Sequence, residues 1–95
     1  MTFEIRKAED RVVHLAGRLD AAEAERTESS FRAIQDSVTL DCTALDYISS
    51  AGIGLLIELH KRLESSGQRV TLVNLLPRVR SIFRYAGLDR LLNIE

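Results

Sequence analysis

The stretch VTLDCTALDYISSAGIGLLIELHKRLESSGQRVTLV, residues 38–73, decides the fold. Residues 38–42 alternate apolar and polar side chains at the period of a strand, and residues 70–73 form a second short run rich in β-branched side chains. Between them, residues 53–63 place their apolar side chains on one broad arc of a helix. A strand, a helix and a strand in this order predict a parallel crossover unit and therefore an α/β fold.

The residues before this unit predict a hairpin followed by a helix. Two strands, Phe3–Lys7 and Arg11–Ala16, are joined at Glu9-Asp10. Asp20 is placed to cap a helix over about residues 21–35, whose inward side chains would be Ala24, Phe31 and Ile34.

The residues after residue 73 predict one more helix and an apolar tail. Pro77 suits the first position of that helix, Gly87 suits its left-handed closing position, and the apolar residues that follow should dock on the body.

The order β-β-α-β-α-β-α predicts an α/β fold with a mixed, mostly parallel sheet of four to five strands. Ninety-five residues suffice for one domain, residues 1–95, and are too few for two cores.

Composition and charge exclude several classes of protein. The net charge of -1 provides no field to attract nucleic acid directly, and no apolar run is long enough for membrane insertion or a secretory leader, so we expect a cytoplasmic protein. The charge is unevenly distributed, because residues 1–50 carry six basic and ten acidic side chains while residues 51–95 carry seven and four. The lone Cys42 and two separated histidines predict no metal site, and we expect no cofactor.

Residues 43–50 are predicted to form a loop that ends in two hydroxyl side chains, Ser49 and Ser50, directly before the central helix. A helix N-terminus exposes unpaired N–H groups and the positive end of its dipole, which favours an anion. The simplest interpretation is a helix cap, but one serine suffices for that. Gly52 and Gly54 would remove side chains from the first turns, so that a partner protein or a nucleotide could approach the backbone.

The sequence does not favour catalysis at this junction. The glycines lack the Lys-Ser/Thr of a phosphate-binding loop, and neither His14 nor His60 is placed by sequence to activate Ser50. Asp41 and Asp46 could form an acidic pair, but carboxylates in loops are usually solvated or engaged in capping. We therefore expect no enzyme and no catalytic residue.

Three motifs resemble those of the STAS domains of bacterial anti-sigma factor antagonists. The run YISSAGIGLL, residues 47–56, is similar to a signature in which an aromatic and an aliphatic residue precede Asp-Ser-Ser/Thr-Gly-Leu-Gly. Gly17-Arg18-Leu19-Asp20 resembles the Gly-x-Leu-Asp that follows the family's second strand, and Ala86-Gly87-Leu88 resembles its C-terminal Gly-Leu. The motifs occur in the family's order and spacing, and the resemblance covers about residues 3–94.

The resemblance implies a phosphorylation site. In the family, the serine after the signature aspartate is phosphorylated by a partner that is both an anti-sigma factor and an ATP-dependent serine kinase. By position this acceptor is Ser50, and because Ser49 replaces the aspartate and Ala51 the second hydroxyl, Ser49 is an alternative acceptor. The implied partner-binding residues are Asp20, Ser49, Ser50, Ala51, Gly52, Ile53 and Gly54.

The implied function is partner switching. The dephosphorylated protein would bind the serine kinase/anti-sigma factor, phosphorylation would release it, and a serine phosphatase would reset the protein. An alternative keeps the fold without the switch: a STAS subunit that docks on a larger assembly, such as a lipid-transport ATPase or a stress-signalling complex. The sequence leaves open whether the protein forms a homodimer and whether a nucleotide binds.

Overall fold

A computed structural model describes residues 3–95, so the first two residues of the predicted domain lie outside the described part of the chain. The order of elements is β1 (Phe3–Lys7), β2 (Val12–Leu19), α1 (Ala21–Arg32), β3 (Val38–Ile48), α2 (Ser50–Ser65), β4 (Val70–Val73), α3 (Pro77–Tyr85) and β5 (Asn93–Ile94). This confirms the predicted order, to which the apolar tail adds a fifth strand. None of the helices in residues 3–95 has the length and apolar character needed to cross a membrane.

The sheet is mixed and mostly parallel, as predicted. The strands lie in the order β1-β2-β3-β4-β5, with β1 antiparallel to β2 and every other neighbouring pair parallel. Asp10 and Arg11 both have a φ of 59° in the hairpin turn between β1 and β2. Positive φ at both central residues suits the right-handed twist of two hairpin strands, so the turn sets their register.

The core lies between the helices and one face of the sheet. Alternate strand side chains such as Leu15, Leu40 and Leu72 are fully buried, whereas their neighbours His14 and Thr71 are only half-buried. The inward side chains predicted for α1 are confirmed as buried: Ala24, Phe31 and Ile34. One face of the sheet therefore carries the core, and the other is polar and partly open to solvent.

Strand β3 is longer than predicted. It continues to Ile48, so the predicted loop over residues 43–50 is wrong, and β2 likewise continues to Leu19. Leu45 pairs with Gly17 and Ile48 pairs with Leu19, but the pairing shifts register twice along β2. Such irregularities break the strict alternation of a strand, which is why the buried residues Cys42, Leu45 and Ile48 recur at every third position.

Helix α1 is held beside α2 by an arginine. The guanidinium of Arg62 in α2 donates from Nη1 to the carbonyl of Ile34 at 2.7 Å and from Nη2 to the carbonyl of Phe31 at 3.0 Å. The Phe31 carbonyl lies in the last turn of α1 and the Ile34 carbonyl lies just beyond the helix, where intrahelical partners run out. Helix α1 accordingly ends at Arg32, earlier than predicted, and the two helices pack side by side.

Candidate functional site

The candidate site is the edge of the sheet where β2 and β3 end next to each other. Leu19 and Ile48 are paired at this edge, and each is followed by a residue that caps a helix. Asp20 Oδ1 accepts a hydrogen bond from the Glu23 N–H at 2.9 Å, and Ser49 Oγ accepts one from the Gly52 N–H at 3.2 Å. The cap predicted at Asp20 is thus confirmed, and α1 and α2 both begin at the edge of the sheet where β2 and β3 end.

The two adjacent serines differ in what their hydroxyls contact. Besides capping α2, Ser49 Oγ donates to the carbonyl of Leu19 at 3.1 Å, and the Ser49 N–H donates to the same carbonyl at 2.9 Å. Ser50 is the first residue of α2 and is exposed, and its hydroxyl makes no hydrogen bond within residues 3–95. The structure therefore assigns the cap to Ser49 and leaves the Ser50 hydroxyl accessible.

The two glycines of the motif face opposite ways. A Cβ on Gly52 would lie 2.8 Å from both Leu19 Cγ and Ile48 Cγ1, whereas a Cβ on Gly54 would meet nothing within 4 Å. Gly52 is buried and Gly54 is exposed. The expectation that both glycines lie on an accessible surface is wrong for Gly52, because this glycine lets α2 pack closely on the ends of β2 and β3.

The exposed residues at the start of α2 form a small uncharged surface. We call this surface the α2 tip; it consists of Ser50, Ala51 and Gly54, with Ile53 half-buried beside it. The first turn of α2 contains no acidic side chain, and its cap is a neutral serine. The positive end of the helix dipole is therefore not offset by a carboxylate in this turn.

Two interactions in the last residues of β3 were not found by sequence reasoning. The Arg18 guanidinium lies over the ring of Tyr47, 4.4 Å from its centroid. Arg78 of α3 donates from Nε to the carbonyl of Asp46 at 3.0 Å and from Nη2 to its Oδ1 at 3.0 Å. Both depend on the continuation of β3 to Ile48, which the sequence pattern conceals.

Asp41 and Asp46 do not form an acidic pair, in line with the expectation that these carboxylates have structural roles. Asp46 contacts Arg78, whereas Asp41 accepts hydrogen bonds from Thr43 Oγ1 at 2.6 Å and from Asn74 Nδ2 at 3.2 Å. The hydrogen bond from the Thr43 hydroxyl is the main cause that lowers the pKa of Asp41. Each carboxylate is thus engaged in a structural contact.

Cys42 has the environment of a core residue. Its side chain is fully buried in β3, and this burial is the main cause that raises the pKa of the thiol to about 12. The thiolate, which is the nucleophilic form, is therefore scarce at neutral pH.

Comparison with known proteins identifies the family. The family described as STAS domain matches residues 3–95. The chain belongs to the STAS domain family.

Two sequence relatives of this STAS domain are named for sigma-factor regulation. It is 36% identical over 77 residues to BtrV of Bordetella bronchiseptica, named as a candidate anti-sigma factor antagonist, with 77% of this chain and 66% of BtrV covered. It is 32% identical over 91 residues to the anti-sigma F factor antagonist of Lysinibacillus sphaericus, with 90% of this chain and 78% of the relative covered.

Solved structures share the fold of this STAS domain. Unphosphorylated SpoIIAA matches with a TM-score of 0.77 at 22% identity, covering 98% of this chain and 87% of SpoIIAA. The phosphorylated form of SpoIIAA from Bacillus gives 0.69 at 21% identity, covering 98% and 90%. An anti-sigma factor antagonist from Mycobacterium paratuberculosis gives 0.80 at 21% identity, covering 98% and 83%.

Proposed function

We propose that this STAS domain is an anti-sigma factor antagonist that changes partners when Ser50 is phosphorylated. In the dephosphorylated state it binds a serine kinase that is also an anti-sigma factor, and so frees a sigma factor or another client. Phosphorylation of Ser50 by the bound kinase releases the complex, and a serine phosphatase restores the starting state. The protein acts in the cytoplasm by binding, with no catalysis of its own.

The comparisons support the class of function. Both sequence relatives carry names of anti-sigma factor antagonists, and SpoIIAA, which shares the fold, is described in an unphosphorylated and a phosphorylated form. The resemblance of the motif at residues 47–56 supports Ser50 as the acceptor.

The strongest support for Ser50 is that the two serine hydroxyls have different environments: Ser49 is hydrogen-bonded and Ser50 is exposed. A phosphate on Ser49 would require its hydroxyl to leave the Leu19 carbonyl, and it would alter the cap of α2. A phosphate on Ser50 requires neither change, because the Ser50 hydroxyl is exposed and makes no hydrogen bond within the described residues. Ser50 is therefore the acceptor that the folded domain can present to a kinase.

The charge of a phosphate explains the release. A phosphoserine adds about -1.5 to -2 charges, which the N-terminus of a helix accommodates without refolding. The phosphate instead weakens the binding of the partner. The partner docks on the uncharged α2 tip and would meet a dianion in place of a small hydroxyl. Burying groups against an unpaired charge costs several kcal/mol, enough to dissociate a regulatory complex.

The acceptor is tested by recovering the protein from its own cells and mapping phosphate by mass spectrometry. Ser50→Ala should abolish the phosphate and leave stability nearly unchanged. Ser49→Ala should keep the phosphate and lower the free energy of unfolding by about 1 kcal/mol, because it removes the cap of α2. The pair of variants thus separates the two hydroxyls by two independent readouts.

The same experiment distinguishes the docking-subunit alternative. Absence of phosphate from the wild type under all growth conditions, together with unchanged partner binding by Ser50→Ala, would contradict the switch. It would favour a STAS subunit that docks on a larger assembly. Phosphate lost only in Ser49→Ala would move the acceptor to Ser49.

A further inference from the structure

A second surface with the character of a binding site lies at the opposite end of α2 from Ser50. It is a groove of about 580 Å³ between α2, the start of β4 and the segment that leads into β5. We call it the α2–β4 groove; its side chains include His60, Glu64, Arg69, Arg90, Leu91 and Asn93. The α2 residues of the groove, His60 and Glu64, follow Ser50 by 10 and 14 residues, so they lie about 15 to 21 Å from it along the helix.

The groove presents two guanidinium groups without acidic partners. Neither Arg69 nor Arg90 forms an ion pair within residues 3–95. The one carboxylate of the groove, Glu64, is 73% exposed and lies 3.6 Å from His60 Nε2. The groove therefore has an excess of positive charge, consistent with the excess of basic side chains in residues 51–95.

Arg69 is held in place rather than free to move into solvent. When the Asn93 amide is oriented with its oxygen toward Arg69, that oxygen accepts from Nε and from Nη2 at 3.2 Å each, and also from Thr71 Oγ1 at 2.9 Å. This orientation satisfies all of these donors. A guanidinium fixed by its own protein loses less side-chain entropy when it binds a carboxylate.

An exposed apolar side chain lies beside the two arginines. Leu91 is 42% exposed, and within residues 3–95 the only other exposed large hydrophobic residue is Tyr85. Leu91 belongs to the groove together with Arg69 and Arg90. An apolar centre with charged groups around it is the usual composition of a protein interface, in which arginine is enriched.

We propose that the α2–β4 groove binds an acidic segment of a partner protein, with carboxylates on Arg69 and Arg90 and an apolar side chain against Leu91. The charge of the groove selects an acidic segment, and the exposed leucine requires an apolar residue within that segment. Because the groove is remote from the α2 tip, a partner bound there can remain attached whether or not Ser50 is modified. The inference does not depend on the proposed switch.

The test uses the full chain labelled with ¹⁵N and a short synthetic peptide in which glutamates flank a single leucine. Saturable shifts of amide signals should appear in the groove and not at the α2 tip, and the affinity should fall as salt is added. The double variant Arg69→Glu/Arg90→Glu should bind the peptide about tenfold more weakly or worse. Lys61→Glu/Arg84→Glu makes the same change of charge at exposed positions outside the groove, and it should bind as the wild type does.

Three outcomes would overturn the inference. One is the absence of groove shifts in the wild type, and another is an equal loss of affinity in the two double variants. The third needs no variant: a peptide with glutamines in place of the glutamates should bind the wild type much more weakly, and equal binding would exclude recognition of acidic groups. If Arg69→Glu/Arg90→Glu loses the dispersed amide spectrum of a folded domain, this peptide comparison decides.

Discussion

At the scale of single residues, Gly52 and Gly54 provide a matched pair of substitutions. Gly52→Ala adds a Cβ that would lie 2.8 Å from Leu19 Cγ and from Ile48 Cγ1, so α2 or the two strand ends must shift. Overpacking of this kind costs typically about 1–3 kcal/mol. We expect Gly52→Ala to lower the free energy of unfolding by an amount in this range, measured by urea denaturation followed by circular dichroism.

Gly54→Ala is the control for that experiment. A Cβ at Gly54 meets nothing within 4 Å, and alanine is favoured over glycine inside a helix by about 1 kcal/mol. The same methyl group should therefore stabilise the domain at position 54 and destabilise it at position 52. A Gly52→Ala protein as stable as the wild type would show that Gly52 is not needed for the packing of α2.

The residues of the candidate site differ in how far sequence can predict them. The serine pair at the start of α2 is recognisable, because hydroxyl residues before an amphipathic helix are typical of an N-cap. Which hydroxyl caps the helix and which is exposed depends on the Leu19 carbonyl, and this atom reaches Ser49 only through the pairing of β2 with β3. The inward position of Gly52 depends on the same pairing.

At the scale of elements, Asp41 joins β3 to the residues that follow β4. Its Oδ1 accepts from Thr43 within β3 and from Asn74 after β4, and its Oδ2 lies 3.3 Å from His14 Nδ1 of β2. These contacts lower the pKa of Asp41 in the folded state, chiefly through the Thr43 hydroxyl. The carboxylate thus stabilises the fold above the pKa of an unfolded aspartate, about 3.9, and this contribution is lost as the pH falls through the lower folded value.

We therefore expect Asp41→Asn to be less stable than the wild type at neutral pH and to lose stability less steeply below about pH 4. Urea denaturation over a series of pH values measures both effects. Asp36→Asn is the control, because Asp36 is exposed and takes part in no hydrogen bond or ion pair within residues 3–95. Parallel pH profiles for Asp41→Asn and the wild type would contradict the assigned role.

The length of β3 illustrates where sequence patterns fail for elements. Residues 38–42 alternate regularly and are predicted correctly, but the strand continues through Leu45 to Ile48 with buried residues at every third position. This spacing comes from register shifts in the pairing of β3 with β2, which is a long-range contact that a local sequence pattern does not contain. The starts of the helices are more regular, and both the cap of α1 at Asp20 and the start of α3 at Pro77 could be predicted from local sequence.

At the scale of the whole molecule, the order of elements was sufficient to predict a mixed, mostly parallel sheet. It did not determine which strands are neighbours, and the order β1-β2-β3-β4-β5 is a finding of the structure. The α2–β4 groove could not be predicted in this way, since it is formed by residues from α2, β4 and the C-terminal segment. The α2 tip and the groove are separate surfaces along α2, so the two proposed partners would not compete for the same residues.

In the proposed switch, charge at Ser50 controls the binding of the anti-sigma factor. The most direct measurement is the Kd of the kinase/anti-sigma factor from the same cells for the wild type, Ser50→Asp and Ser29→Asp, determined by calorimetry. Ser29→Asp adds the same charge at an exposed position of α1 away from the α2 tip. We predict that Ser29→Asp binds as the wild type does and that Ser50→Asp binds at least about tenfold more weakly. A Ser50→Asp protein that binds as tightly as the wild type would show that charge at Ser50 does not control this interaction.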